Sequence, residues 1–393
     1  MRRLLPLALV AALAACHRAP AGPRPTPIAD PATGGTFLVT LGTDTVAIEQ
    51  YTRSGNRIEG DILQRQPNTR VTHYLLTLNP DGSAQSVTVR TRKPDGTMIP
   101  NLAREATMTF GADSVVTTLV LADSTVTRRA AARGALPGLT SSYAMWEQAI
   151  VQARQGGRDS LAITLLAPGA ANASTLPARL VGRDSARVWY FGDPVRLTLD
   201  RAGHVMTVNG ELTTNKVDAR RIGPVDLATL GRAFAARDAA GQALGIASPR
   251  DTVRATIGGA ELWVDYGRPS RRGRDVWENG VLGDTLWRTG ANAATQFRTS
   301  KDIELAGKLV PAGTYTLFTH AARGGYELVV NRQVGQWGTE YHPDRDLLRV
   351  TLIESLAPET ERFTILLTPQ GGDSGTLALR WARKELSVPI RVR

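Results

Sequence analysis

Cysteine occurs once in the 393 residues and lysine five times, and no phosphate-binding glycine loop, zinc-protease helix or G-x-S-x-G nucleophile turn is present. A lone cysteine excludes an internal disulfide and any site built from several thiolates. The missing motifs leave no pattern for phosphoryl transfer, zinc proteolysis or serine hydrolysis, so no cofactor and no catalytic residue is expected. Aromatic residues are sparse at 6%, while the net charge of +11 rests almost wholly on arginine. The densest arginine cluster, Arg268, Arg271, Arg272 and Arg274, has no interleaved aromatics to stack bases. That composition points away from nucleic acid and towards a solvated loop or contact with anionic lipid or glycan.

Against those absences stands an ordinary globular composition, 42% hydrophobic and 21% charged. This excludes wholesale disorder, and the length suits two folded domains.

The N-terminus is the most legible segment for address. Arg2 and Arg3 precede the apolar run Leu4 to Leu13, and Leu13-Ala14-Ala15-Cys16 closes it with small residues. The run is too short to span a bilayer, which marks it as an export signal. The segment resembles the bacterial lipoprotein signal family, which implies removal of residues 1–15 and lipidation of Cys16. Acylation there implies a membrane partner reached through the lipid anchor. Position 17 is His rather than Asp, which favours the outer membrane over inner-membrane retention. Residues 16–33 are rich in proline and small residues and read as an extended tether.

From Thr36 to about Ala130, short runs with period-two alternation are separated by turn signals such as Arg53-Ser54-Gly55-Asn56 and Asn79-Pro80-Asp81-Gly82. That rhythm predicts an antiparallel meander. Between Ser141 and Arg154 the apolar positions Tyr143, Trp146, Ile150 and Val151 fall at helical spacing, predicting one amphipathic helix against the sheet. Strand signals resume to Val208, and a second helical stretch covers Val225 to Ala243. Leu76-Thr77-Leu78-Asn79 leading to Gly82 matches Leu197-Thr198-Leu199-Asp200 leading to Gly203, which reads as recurring turn chemistry.

The fold class expected is mainly β. Residues 34–215 form a curved antiparallel, half-barrel-like sheet with a covering helix, 216–250 a helical linker, and 251–393 a β-sandwich. In outline the first of these is similar to the half-barrels of lipoprotein carriers, without a diagnostic motif. The space under its helix is either a cavity for an apolar ligand or filled by core side chains.

The C-terminal region carries the most specific pattern. Asp265-Tyr266-Gly267-Arg268-Pro269-Ser270, Gly273-Arg274, Trp287-Arg288-Thr289-Gly290-Ala291-Asn292, Pro311-Ala312-Gly313-Thr314-Tyr315, Asn331, Gln336-Trp337-Gly338 and Leu379-Arg380-Trp381 occur in that order. This series resembles the bacterial family known as domain of unknown function 2911, which implies a β-rich exported domain and no particular activity.

Within that region Trp287, Arg288, Asn292 and Trp337 are the candidate ligand contacts. An arginine fork, an amide and aromatic platforms suit a glycan or a small anionic ligand. The same residues serve equally well as core packing and loop ties. His320 and His342 beside Asp344 and Asp346 match no metal-ligand spacing, and no metal is expected. Asp265, Glu278, Asp284 and Glu340 are the carboxylates available to a glycosidase pair. The functional expectation is a membrane-anchored, non-catalytic binding or structural module of the cell envelope. The alternatives are an envelope carbohydrate-directed hydrolase, or a carrier of an apolar ligand in the N-terminal sheet.

Overall fold

The computed structural model describes residues 27–393 except 191, 192, 214, 215, 278–285 and 323. The expected signal segment, Cys16 and most of the tether lie outside the described residues, as do Glu278 and Asp284. The described residues are mainly β, with two α-helices and two large sheets.

Eight strands open the N-terminal sheet: β1 (Gly34–Leu41), β2 (Asp44–Ser54), β3 (Arg57–Gln64), β4 (Arg70–Leu78), β5 (Ala84–Arg92), β6 (Glu105–Phe110), β7 (Ser114–Val120) and β8 (Thr125–Ala131). Each pairs antiparallel with the next. Seven more follow: β9 (Leu136–Pro137), β10 (Ser160–Leu166), β11 (Ser174–Val181), β12 (Ser185–Tyr190), β13 (Asp193–Leu199), β14 (Val205–Asn209) and β15 (Val217–Ile222). The chain returns through them to its start, because β15 pairs with β1. The sheet therefore runs β8 through β1, then β15 back to β9, with β8 and β9 as open edges.

Helix α1 (Ala144–Gln155) lies between β9 and β10 in sequence, and Tyr143, Met145 and Ile150 enter one continuous core with residues from both wings of the sheet. The two matched turns explain the grip. Gln148 Nε2 donates to Gly82 O at 3.0 Å on one side of α1, and Arg154 Nη1 donates to Asp200 O at 3.1 Å on the other. Gly82 and Gly203 both sit at positive φ, 79° and 100°. Side chains there would strain each turn as well as crowd the helix. A right-handed twist accumulated over fifteen strands brings both wings onto the same helix.

Val217–Ile222 corrects the expected boundary, since residues 216–250 begin with a strand inside the sheet rather than a linker. Asp218 and Arg220 alternate with Ala219 and the buried Arg221, so charge conceals the period-two pattern. Helix α2 (Leu227–Arg237) follows, capped by Asp226, whose carboxylate accepts from Thr229 N at 3.0 Å.

The C-terminal sandwich comprises β16 (Arg250–Ile257), β17 (Ala260–Gly267), β18 (Leu286–Trp287), β19 (Thr295–Thr299), β20 (Ile303–Leu305), β21 (Lys308–Val310), β22 (Gly313–Ala322), β23 (Gly325–Asn331), β24 (Asp346–Gly371) and β25 (Ser374–Val392). β24 pairs with β23 over residues 346–352 and with β25 from Ile353 onward, carrying the chain from one layer to the other. Between the layers lies a second core that includes Phe297, Phe363 and Trp381. Gly313, within the Pro311-Ala312-Gly313-Thr314-Tyr315 run, is the first residue of β22, paired with Thr299 and without positive φ.

The arginine cluster expected at a solvated or lipid-facing loop ties the two units together. Arg272 Nη1 meets Asp44 Oδ2 at 2.6 Å, and Thr43 N donates to Arg272 O at 3.0 Å. Arg268 pairs with Asp251 and Arg271 with Glu359, while Arg274 donates to Ser270 O and Arg271 O.

Candidate ligand-binding cavity

Direct strand pairs put the side chains of one face in rows. Tyr74, Val89, Ala106 and Leu119 lie across β4 to β7 in one row, and Ile62, Thr72 and Thr91 form the next one outward. Gln64 and Arg70 pair at the end of β3 and β4. Along this face a cavity of about 1170 Å³ opens towards the β3–β4 and β5–β6 loops. Its floor is Ile62, Val89, Ala106 and Leu119, its walls include Ile99, Leu102, Leu121 and Leu139, and its rim carries Arg70, Lys93 and Arg232. The volume is at or above the upper end of ordinary small-ligand pockets, and the floor has no charged group.

Helix α2 stands over the rim. Gly231 is its one buried residue, and a β-carbon there would lie 3.3 Å from Pro94 Cβ and 3.5 Å from Leu63 Cδ1. Glycine is what lets the helix approach the loop so closely. The contact is reinforced by the Arg65 guanidinium, 4.2 Å from the Phe234 ring centroid, and by Asp238 Oδ2, which accepts from Thr69 N at 2.6 Å. These attachments are few and polar, so α2 is held far less firmly than α1.

A buried polar network fastens α1. Glu147 pairs with Arg221, both side chains fully buried, and also accepts from Tyr51 Oη and from Val205 N at 2.8 Å. Glu49 on β2 accepts from Tyr143 N at 2.6 Å, Ala144 N at 3.1 Å, Ser142 Oγ at 2.5 Å and Tyr74 Oη at 2.9 Å. It thereby caps a helix whose own N-terminal residue, Tyr143, supplies no side-chain cap. Burial pushes the Glu49 carboxyl above its ordinary range, against the pull of those four donors. Two carboxylates and two tyrosines in contact would suit acid–base chemistry if a substrate could reach them. Their full burial makes this assembly a fastener.

The four residues expected as ligand contacts gather at one loop junction of the sandwich but face different ways. Arg288 Nη1 donates to Asn292 O at 3.1 Å, Gly338 N donates to the same oxygen at 3.1 Å, and Ala293 bridges Trp337. Trp287 is 5% exposed, lies parallel to Trp381 at 5.8 Å between centroids and meets Phe363 edge-on at 4.8 Å. Its Nε1 donates to Gly290 O at 2.8 Å, so the ring belongs to the core and presents no face to a sugar. Arg288 is buried, and burial lowers its pKa with only Asp193 opposing. Asn292 is exposed at φ 64°, and Trp337 is 47% exposed, the one open aromatic of the four.

Elsewhere in that unit, Asp265 is paired with Arg250, and Asp346 is held by Asn331, Tyr341 and Arg349. Among the described residues no group of three or more His, Cys, Asp or Glu could hold a metal.

Sequence reasoning located the helix over the sheet but not the rim residues Gln64, Arg70 and Arg232. A charged residue at the end of an alternating strand reads as solvated, and only the pairing register could have turned Arg70 towards the apolar floor.

Residues 248–390 match the family described as protein of unknown function DUF2911, and the sandwich is a domain of that family. The match leaves the half-barrel and its cavity outside. No curated protein matches the chain.

Proposed function

We propose that the protein is a lipid-anchored binding protein of the bacterial cell envelope, holding the apolar chain of an amphiphile in the N-terminal cavity, with the DUF2911 domain as its companion module. One observation carries this reading: a cavity of about 1170 Å³ whose floor is Ile62, Val89, Ala106 and Leu119, under a lightly held helix. Each methylene buried there contributes about 0.8 kcal/mol, so a chain of ordinary acyl length offsets the cost of association without strong polar contacts. The envelope address rests on Leu13-Ala14-Ala15-Cys16 and on the tether that follows.

The test is binding of the apolar fluorophore 1-aminoanthracene to the full chain carrying Cys16→Ser, compared with the same chain carrying Leu119→Trp. Saturable binding that the tryptophan removes, with the melting temperature held, supports the reading. Equal binding by both chains, or none by either, ends it. The anchor is read separately, as incorporation of labelled palmitate into the natural chain and its loss in Cys16→Ser.

A further inference from the structure

Chemistry changes with depth along the cavity. The deepest row is apolar across Val89, Ala106 and Leu119, the next carries the hydroxyls of Thr72 and Thr91, bonded to each other at 2.9 Å, and the outermost is cationic. Arg70 heads that outer row. Its Nε donates to Gln64 Oε1 at 3.0 Å, and Gln64 is itself oriented by Nε2 donating to Thr140 O at 2.9 Å. Among the described residues no carboxylate pairs with Arg70, and its two terminal nitrogens have no protein partner. Neither acid of the rim reaches Arg70: Asp95 Oδ1 accepts from Thr97 N and Oγ1, and Asp238 Oδ2 accepts from Thr69 N beside Arg65, while the buried Asp238 Oδ1 has no partner. Lys93, just past the end of β5, and Arg232 on α2 complete a rim with three cations.

We propose that the cavity selects amphiphiles with an anionic headgroup, a carboxylate or a phosphate, and that Arg70 is the residue that anchors it. This rests on the reading of the cavity as the seat of an apolar chain. A half-buried guanidinium stays charged and carries a desolvation cost that no neighbouring acid relieves, which is why burial lowers its pKa. A headgroup oxygen at Nη1 and Nη2 supplies the missing partner, in the planar two-point geometry that arginine gives to carboxylate and phosphate. Gln64 holds the fork in place from the protein side. The order of the rows, apolar, hydroxyl, cation, matches an amphiphile entering tail first.

Three ligands of one chain length separate head from tail: hexadecanoate, hexadecyl phosphate and hexadecanol, each displacing 1-aminoanthracene from the full chain carrying Cys16→Ser. At least one anion is expected to bind about tenfold to a hundredfold more tightly than the alcohol, the range of a charge-assisted hydrogen bond. Which anion gains more identifies the headgroup class. Arg70→Met should bring the anions down to the alcohol's affinity and leave the alcohol unchanged, while Arg70→Lys retains part of the preference. Equal affinities in the parent chain, or a preference that survives in Arg70→Met, overturn the anchor while hexadecanol binding keeps the cavity reading intact. Failure of all three ligands and of the fluorophore overturns the cavity reading itself, and the anchor with it.

Discussion

Arg221, on the last strand of the N-terminal sheet, forms a fully buried ion pair with Glu147 at the first turn of α1. The guanidinium also donates to Gly34 O at 2.9 Å and Val205 O at 2.9 Å, so one side chain joins helix, first strand and last strand. Removing Glu147 leaves the Arg221 guanidinium without a carboxylate in the core, and removing Arg221 leaves Glu147 with Arg53 Nη2, at 3.3 Å, as its one cation among the described residues. Arg221→Met should therefore destabilise the N-terminal unit by about 3–5 kcal/mol in urea unfolding. Pairing it with Glu147→Leu should restore much of the loss, and additive losses in the double variant would show that the two do not interact.

Glu49 gives a pH signature. Its folded pKa is raised above the ordinary carboxyl value of 4.5, so its contribution is fully present below that value and is lost as pH rises through the folded one. Subtracting the stability of Glu49→Gln isolates the group: the parent-minus-variant difference should shrink from acid towards neutral pH. Glu49→Gln also turns an amide donor towards donors at Tyr143 and Ala144 or Tyr74 and Ser142, which costs about 1–3 kcal/mol. A pH-independent difference would contradict the raised pKa.

Gly231 controls how closely α2 sits over the cavity. Gly231→Phe should lift the helix from Pro94 and Leu63 and speed release of a bound fluorophore in stopped-flow measurements, with the floor of the cavity unchanged. Gly231→Ala needs only a shift of a few tenths of an ångström and gains up to about 1 kcal/mol of helix propensity. Identical release rates for glycine and phenylalanine would mean that ligand does not pass beneath α2.

The two tryptophans of the sandwich junction should separate cleanly. Trp287→Ala removes a ring packed against Trp381 and Phe363 and should cost about 3–5 kcal/mol. Trp337→Ala, at an exposed position, should stay within about 0.5 kcal/mol. Denaturant unfolding of the two variants checks both values, and a large loss at Trp337 would show that its ring carries packing of its own.

Much of the architecture could be read from residue order. The meander from Phe37 onward, the helix around Tyr143 and Ile150 and the strands after Gln296 all follow from periodicity and turn residues, which are local properties. Val217–Ile222 escaped because Asp218 and Arg220 alternate with Arg221, whose burial depends on a carboxylate 74 positions away. Trp287 and Trp337 look alike in sequence, and their opposite exposures are set by whether Phe363 and Trp381 fold over the ring.

The sequence by itself determined that this chain is mainly β, where its helices lie and that a DUF2911 domain ends it, because alternation, helical spacing and ordered motifs are carried by neighbouring residues. Only the tertiary structure decided that β15 returns to pair with β1, that Glu49 caps a helix 94 positions further on, and that Arg70 looks across a threonine band onto an apolar floor. Those relations depend on pairing register and on which distant groups desolvate one another, and neither is written in any single stretch of residues.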